Sequence, residues 1–298
     1  MSTALVVGEA LIDIVHRDGA APVEHPGGNV IAEYREQPGV EGAPGVRVLL
    51  LRPKERAYQV VPAALVIHGG GMVLDSAEQG PDLLFLDRVA AGEMVAVSVD
   101  YRLVPEHPNP APIDDCFATL HWISPHAAEL GADPERLTVC GIGALGGLVA
   151  GTVLRAHDSG LTRISHQILI CPMLDDRMTT HSSQMLLDEG GWDRESNTFG
   201  RTALLGDRLG TDDVSPYAAP ARATDLTGLP RTYIDCGSAE TFRDEILDYS
   251  QHLSKAGVSV DLLMWGGGFH GFDNPFSTAT ISRASRWVRD EFITRAAG

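Results

Sequence analysis

The sequence predicts an α/β fold: a mostly parallel central sheet with helices on both faces and a small cap. Three observations predict it. From Val46 onward, short β-rich runs alternate with helix-like segments, the alternation that builds parallel sheets. One of those runs, Met94–Asp100, is apolar enough to be a buried strand. In the stretch 137–150, a β-rich run ends in glycines and passes at once into a helix-like segment of small residues. That is a strand, tight turn and helix in succession, where α/β enzymes commonly place their chemistry.

At 298 residues the chain is long enough for one large α/β domain or two small ones. Its formal net charge of −17 argues against nucleic acid or an anionic membrane surface as partner, because both want a basic face. The apolar start, Ala4 to Val15, is broken by Glu9 and Asp13 and lacks a basic leader, so a cytoplasmic protein without a membrane span is expected. Cys116, Cys140, Cys171 and Cys236 are scattered with no Cys-x-x-Cys spacing. They read as reduced, buried thiols; no metal site and no cofactor is expected.

Taken in order, residues 3–15 followed by His25-Pro26-Gly27-Gly28-Asn29 resemble the opening of ribokinase-type sugar kinases. The likeness covers about a tenth of the chain, and nothing downstream supplies that family's ATP-site motifs. Residues 1–45 are therefore read as an N-terminal arm, with 35–45, rich in Pro, Gly and Glu, as a linker. Val46–Leu51 and Val60–His68 read as strands, with Lys54-Glu55-Arg56 in the turn between them. His68-Gly69-Gly70-Gly71 follows; consecutive glycines can present backbone N–H groups to an anion. After Met94–Asp100 comes Asp100-Tyr101-Arg102-Leu103-Val104-Pro105-Glu106-His107-Pro108, then a helix over roughly Ile113–Leu130.

The glycines at 141–146 admit two readings. Gly141-Ile142-Gly143-Ala144-Leu145-Gly146 spells the dinucleotide fingerprint, and the same outline is that of a nucleophile elbow, G-x-S-x-G, without its serine. A dinucleotide site needs an acidic residue about 20 residues on, at the end of the next strand. That strand, Ile164–Cys171, has no carboxylate before Asp175, and the strand that would open such a unit lies mid-chain.

The order of motifs from about Val46 to the C-terminus resembles the hormone-sensitive-lipase branch of the α/β-hydrolases, the bacterial carboxylesterases. The resemblance implies an α/β-hydrolase domain over 46–298 with a cap insertion at about 176–220. In that family the elbow reads G-x-S-A-G-G-x-L-A. Gly141, Ala144, Gly146 and Leu148 match; Gly143 stands where the serine would be, and Leu145 where a glycine would be. A serine at such a turn is strained by roughly 1–3 kcal/mol, which glycine relieves. Leu145 is expected to displace the turn locally. The cap would hold Leu186, Leu187, Trp192 and Phe199 as candidate pocket residues.

By the same resemblance Glu240, ahead of Arg243-Asp244-Glu245, is the triad acid, and His270, flanked by Gly and Phe after the last strand, is the general base. Gly70, Gly71 and Ala144 would be the oxyanion donors. A closing helix, Ser277–Arg295, carries Arg283, Arg286 and Arg289 on its polar side. The expected ligand is a small ester or carbonyl compound, with hydrolysis abolished or impaired. The alternatives are a lyase- or cyclase-type reaction that uses His270 as base, or binding without turnover. A homodimer through the last strand and helix is a fold-level expectation.

Overall fold

The computed structural model describes residues 29–54, 60–74, 76–78, 84–160, 162–189 and 191–297, and the backbone of 5–7, 10–12 and 23–24. Most of the kinase-like opening, and Glu55 and Arg56, lie outside the described residues. The strands are β1 (Leu5–Val7), β2 (Ala10–Ile12), β3 (Val23–Glu24), β4 (Val30–Gln37), β5 (Val46–Pro53), β6 (Val61–Ile67), β7 (Val95–Asp100), β8 (Ala132–Ile142), β9 (His166–Ile170), β10 (Arg231–Ala239) and β11 (Val260–Phe269). The helices are α1 (Leu86–Ala90), α2 (Ala111–Leu130), α3 (Ala144–Ser159), α4 (Arg194–Leu205), α5 (Arg243–Lys255) and α6 (Thr280–Ala297). Strands β1 and β2 form an antiparallel ribbon.

The main sheet has the order β11-β10-β9-β8-β6-β7-β5-β4-β3. Strands β6 to β11 run parallel, and β5, β4 and β3 continue antiparallel from β7. Strands β6 and β7 read as near-continuous apolar runs because both faces are covered. Leu50, Leu65, Val97 and Val139 pack with residues of α2, α3 and α5 on one face. Leu49, Leu51, Ala64 and Val66 pack with residues of α1 and α6 on the other. Gly131 (φ 75°) and Gly160 (φ 63°) end α2 and α3 in the left-handed conformation that glycine adopts without a Cβ clash.

Strand order fixes where chemistry can occur. The chain leaves β6 for β7 on one side, then crosses to β8 on the other side of β6 and continues outward. The crevice at such a reversal lies at the carboxyl ends of the strands. His68 to Gly71 emerge from β6 there, and Gly143 emerges from β8.

Two sequence expectations are corrected here. The linker expected at 35–45 begins three residues too early: β4 runs to Gln37, which is buried and bonds Thr119 through its side chain (3.0 Å). The sheet therefore crosses the boundary expected at Val46. The polar letters misled because β4 lies near the antiparallel edge, where Glu33 and Arg35 pair with one another (2.9 Å) rather than face a core. Arg289 is not on the polar side of α6. It is 3% exposed and bridges Asp235 of β10 (3.1 Å) and Asp273 (2.9 Å). Tyr233 donates to the same Asp235 (2.7 Å).

Arg289 thus ties α6 to β10 and to the loop that follows β11. Removing one partner of a buried ion pair strands the other, at about 3–5 kcal/mol. Arg289→Met is expected to lower unfolding free energy by that order in urea melts, because Asp235 loses its cation and Asp273 keeps only Arg286 at 4.0 Å. A loss below about 1 kcal/mol would show that the clamp contributes little.

Candidate active site

Five strand ends meet at the carboxyl edge of the sheet. Register explains which residues meet. Ile142 of β8 pairs with Ile170 of β9, so Gly143 lies level with Cys171; Ala239 of β10 pairs with Phe269 of β11, so Glu240 lies level with His270. The Nδ1 of His270 sits 2.9 Å from Glu240 Oε2. Glu240 is fully buried, and its Oε1 accepts the Phe242 N–H (3.2 Å). The imidazole lies edge-on to Phe242 (5.5 Å between centroids) and tilted against Trp192 (6.0 Å).

Gly143 forms the junction between β8 and α3 with φ 64° and ψ −129°. Its N–H donates to the Ile170 carbonyl (2.8 Å), and its own carbonyl accepts from Gly146 (2.9 Å) and Met173 (3.0 Å). A Cβ built on Gly143 would stand 2.8 Å from His270 Nε2. The imidazole therefore closes over the glycine at a distance that real Cβ contacts do not reach. Leu145 does not splay the junction apart; it is fully buried in the core cluster that faces α2 and α3. Ala144, as the first residue of α3, has an N–H that no intrahelical carbonyl can accept.

The His68–Gly71 loop curls beside this junction. Gly70 (φ 91°) and Gly71 (φ 66°) both occupy left-handed backbone, and Val73 and Leu74 donate back to the Gly70 carbonyl (3.1 and 3.0 Å). A Cβ on Gly71 would meet the Trp192 ring at 2.6 Å, so only glycine fits under the cap here. Tyr101 stacks on His68 (4.4 Å) and holds the base of the loop.

Of the cap residues expected to line a pocket, Trp192 faces the site. Phe199 is 58% exposed because α4 turns its other face, Asn197, Gly200, Arg201 and Leu204, toward the domain, and Leu187, in the loop before α4, is 45% exposed. Asp193 starts α4 by accepting the Ser196 N–H (2.8 Å), with Asp188 N–H on its other oxygen (2.8 Å). Arg201 is buried 3.8 Å from Glu245, whose carboxyl burial pushes up to about 8 despite that cation. The cavity beside the junction is lined by Met72, Ile113, Ala144, Leu148, Met173 and Leu204 among others, and measures about 10 Å³. That is room for roughly one water-sized group.

Burial of His270 opposes its protonation, but the charge offered by Cys171 and Glu240 outweighs burial and holds its pKa well above the ordinary histidine value. Burial in turn pushes the Cys171 thiol up. Cys171 is a residue that sequence spacing missed. Its ligand-capable atom, one from Glu240 and one from His270 all lie within 4.8 Å of one another. The dinucleotide reading finds no room: the imidazole closes over Gly143, and a Cβ on Gly146 would meet Pro172 at 2.7 Å.

Residues 64–274 match the family model described as alpha/beta hydrolase fold. Carboxylesterase NlhH of Mycobacterium tuberculosis is 34% identical over 215 residues, covering 72% of this chain and 67% of that protein. The acetyl-hydrolase of Streptomyces hygroscopicus is 31% identical over 240 residues, covering 78% and 76%. Among solved structures, a bacterial heroin esterase superposes with a TM-score of 0.86 at 38% identity, over 91% of this chain and 85% of that one. Esterase LipW from Mycobacterium marinum gives 0.77 at 32%, over 89% and 82%. The kinase-like opening lies outside the span that the family model matches. With the sheet order, the glycine junction at 143 and these relatives in agreement, the chain belongs to the carboxylesterase-like α/β-hydrolase family.

Proposed function

We propose that this chain is a short-acyl carboxylesterase scaffold whose elbow carries no nucleophile, so that ester hydrolysis is abolished or strongly impaired. One observation carries the reading: Gly143 has the strained turn conformation of an elbow, and His270 Nε2 points at the place where its side chain would begin. In acyl transfer a serine at that place gives its proton to the histidine, a carboxylate orients the ring, and backbone N–H groups hold the oxyanion. Here His270 is the base, Glu240 its orienting partner, and Gly70, Gly71 and Ala144 the donors; position 143 offers no attacking atom. Oxyanion stabilisation and binding alone leave a background of about 10³–10⁴ over water. Small acyl groups are favoured because the apolar space beside the junction is narrow. The names of the acetyl-hydrolase of Streptomyces hygroscopicus and the ethyl acetate hydrolase of Pseudomonas putida agree with that substrate class.

A second reading keeps the same residues. With nothing between Nε2 and the glycine, His270 is placed to take a proton from a carbonyl ligand held by the N–H cradle, a lyase- or cyclase-type step. Loss of carbonyl-ligand deuterium exchange in His270→Ala separates this step from simple binding.

Gly143→Ser is expected to raise p-nitrophenyl acetate hydrolysis by about 10²-fold or more, short of the roughly 10⁶ that a complete triad is worth. The shortfall follows because Nε2 must retreat to admit a Cβ and Oγ. The left-handed backbone is expected to cost the serine variant about 1–3 kcal/mol of stability. Gly143→Ala should share that cost and gain no activity. Leu145 is best left in place, since emptying so buried a leucine site costs a further 2–5 kcal/mol or so. A folded serine variant as inert as the alanine one would sink the reading.

The raised pKa of His270 has a sign that can be checked. The protonated ring is stabilised by folding, so its contribution is full below about 6.5, the ordinary histidine value, and is lost as pH rises through the folded value. An NMR titration of the ring should give a midpoint above that of an ordinary histidine, moving down in Glu240→Gln. A midpoint at or below the ordinary value in the unmodified chain would contradict the assigned pairing.

A further inference from the structure

The chemistry above uses Glu240 and His270 and leaves the buried thiol beside them without a role. Cys171 follows β9 with φ 38°, a left-handed conformation that takes it out of the strand's alternation, while its N–H donates to the Asp235 carbonyl (2.8 Å). It is 3% exposed. Among the described residues it joins Glu240 and His270 in one group whose donor atoms lie within 4.8 Å of each other.

We propose that Cys171, Glu240 and His270 form a binding site for a thiophilic divalent cation of the zinc class, which bridges the three donors and takes the base out of action. The donor set decides the class. Thiolate, imidazole and carboxylate together suit zinc, whereas magnesium and calcium take oxygen donors. Zinc bond lengths of about 2.0–2.3 Å give tetrahedral edges of roughly 3.3–3.6 Å. Nδ1 and Oε2 are at 2.9 Å, so that edge opens slightly, and no pair is beyond 4.8 Å, so any other edge contracts by at most about 1.5 Å. Nδ1 is the nitrogen already in place. The Phe242 N–H on Glu240 Oε1 (3.2 Å) holds the carboxylate from behind, as outer partners of metal ligands do. The fourth position falls to water.

The proton balance is simple, with no redox change. The thiol proton goes to solvent, and the cation displaces the Nδ1 proton, which moves to Nε2 in a neutral ring and goes to solvent from an imidazolium. The ring then keeps its remaining proton on Nε2, facing Gly143, and cannot accept another. Affinity therefore rises with pH, and the cation inhibits any reaction in which His270 is the base. The site stands on the geometry of these three residues and not on the nucleophile at 143. Failure of one proposal leaves the other standing.

The test is a Co²⁺ titration of the full chain in buffer free of thiols and chelators, followed by the near-ultraviolet charge-transfer band of a cobalt–thiolate bond. The expected result is a band that saturates at one cobalt per chain, is displaced by Zn²⁺ but not by Mg²⁺, and is lost in Cys171→Ser and in His270→Ala. Cys116→Ser, on α2, should keep it. Circular dichroism melts report whether each variant is folded. If Cys171→Ser does not fold, the His270→Ala arm decides, since that ring is partly exposed. Absence of a band in the unmodified chain, or a band that survives either ligand substitution in a folded protein, overturns the site.

Discussion

The hydrogen bond between His270 Nδ1 and Glu240 Oε2 is the interaction on which the rest of the site depends. Both residues sit one position past a paired strand residue, so the β10–β11 register delivers them side by side. Glu240 has no exposure, and an isolated carboxylate there would be costly without the imidazole and the Phe242 N–H. The bond aims Nε2 at Gly143, at the end of β8, three strands away from β11. The direction of the imidazole is thus set by sheet geometry, and a glycine at the junction does not disturb it.

Around that axis the structure uses close packing to fix what flexible loops would otherwise leave open. Trp192 presses on Gly71 from the cap side and tilts against the imidazole. Arg289, reaching from α6 to Asp273, restrains the loop three residues beyond His270. The cap itself is less comfortable. Arg201 puts a buried guanidinium near Glu245, yet among the described residues its Nε, Nη1 and Nη2 find no hydrogen-bond acceptor. Buried charge without full pairing is costly, so α4 is a place where stability has been given up.

How much of this was legible in the sequence depends on whether the signal was local. The strands β6 and β7 announce themselves as apolar runs, and the junction at Gly143 as a β-run passing through glycines into a helix. His270, Glu240 and the glycines at 70 and 71 stood out through ordered motifs. Strand β4 did not, since its charged residues pair along a near-edge strand instead of marking a loop. Arg289 looked like a surface residue because its partners, Asp235 and Asp273, are remote in sequence. Cys171 was invisible as a neighbour of His270, because only the register of β9, β10 and β11 brings the two together.

The central claim is that an intact base and N–H cradle face a position with no attacking atom. Organophosphonate esters capture the nucleophile of an acyl-transfer site covalently, and intact-mass spectrometry reads the adduct directly. The unmodified chain is predicted to remain at its unlabelled mass under conditions that label a related carboxylesterase to completion. A stoichiometric phosphonyl adduct on any hydroxyl or thiol beside His270 would contradict the account.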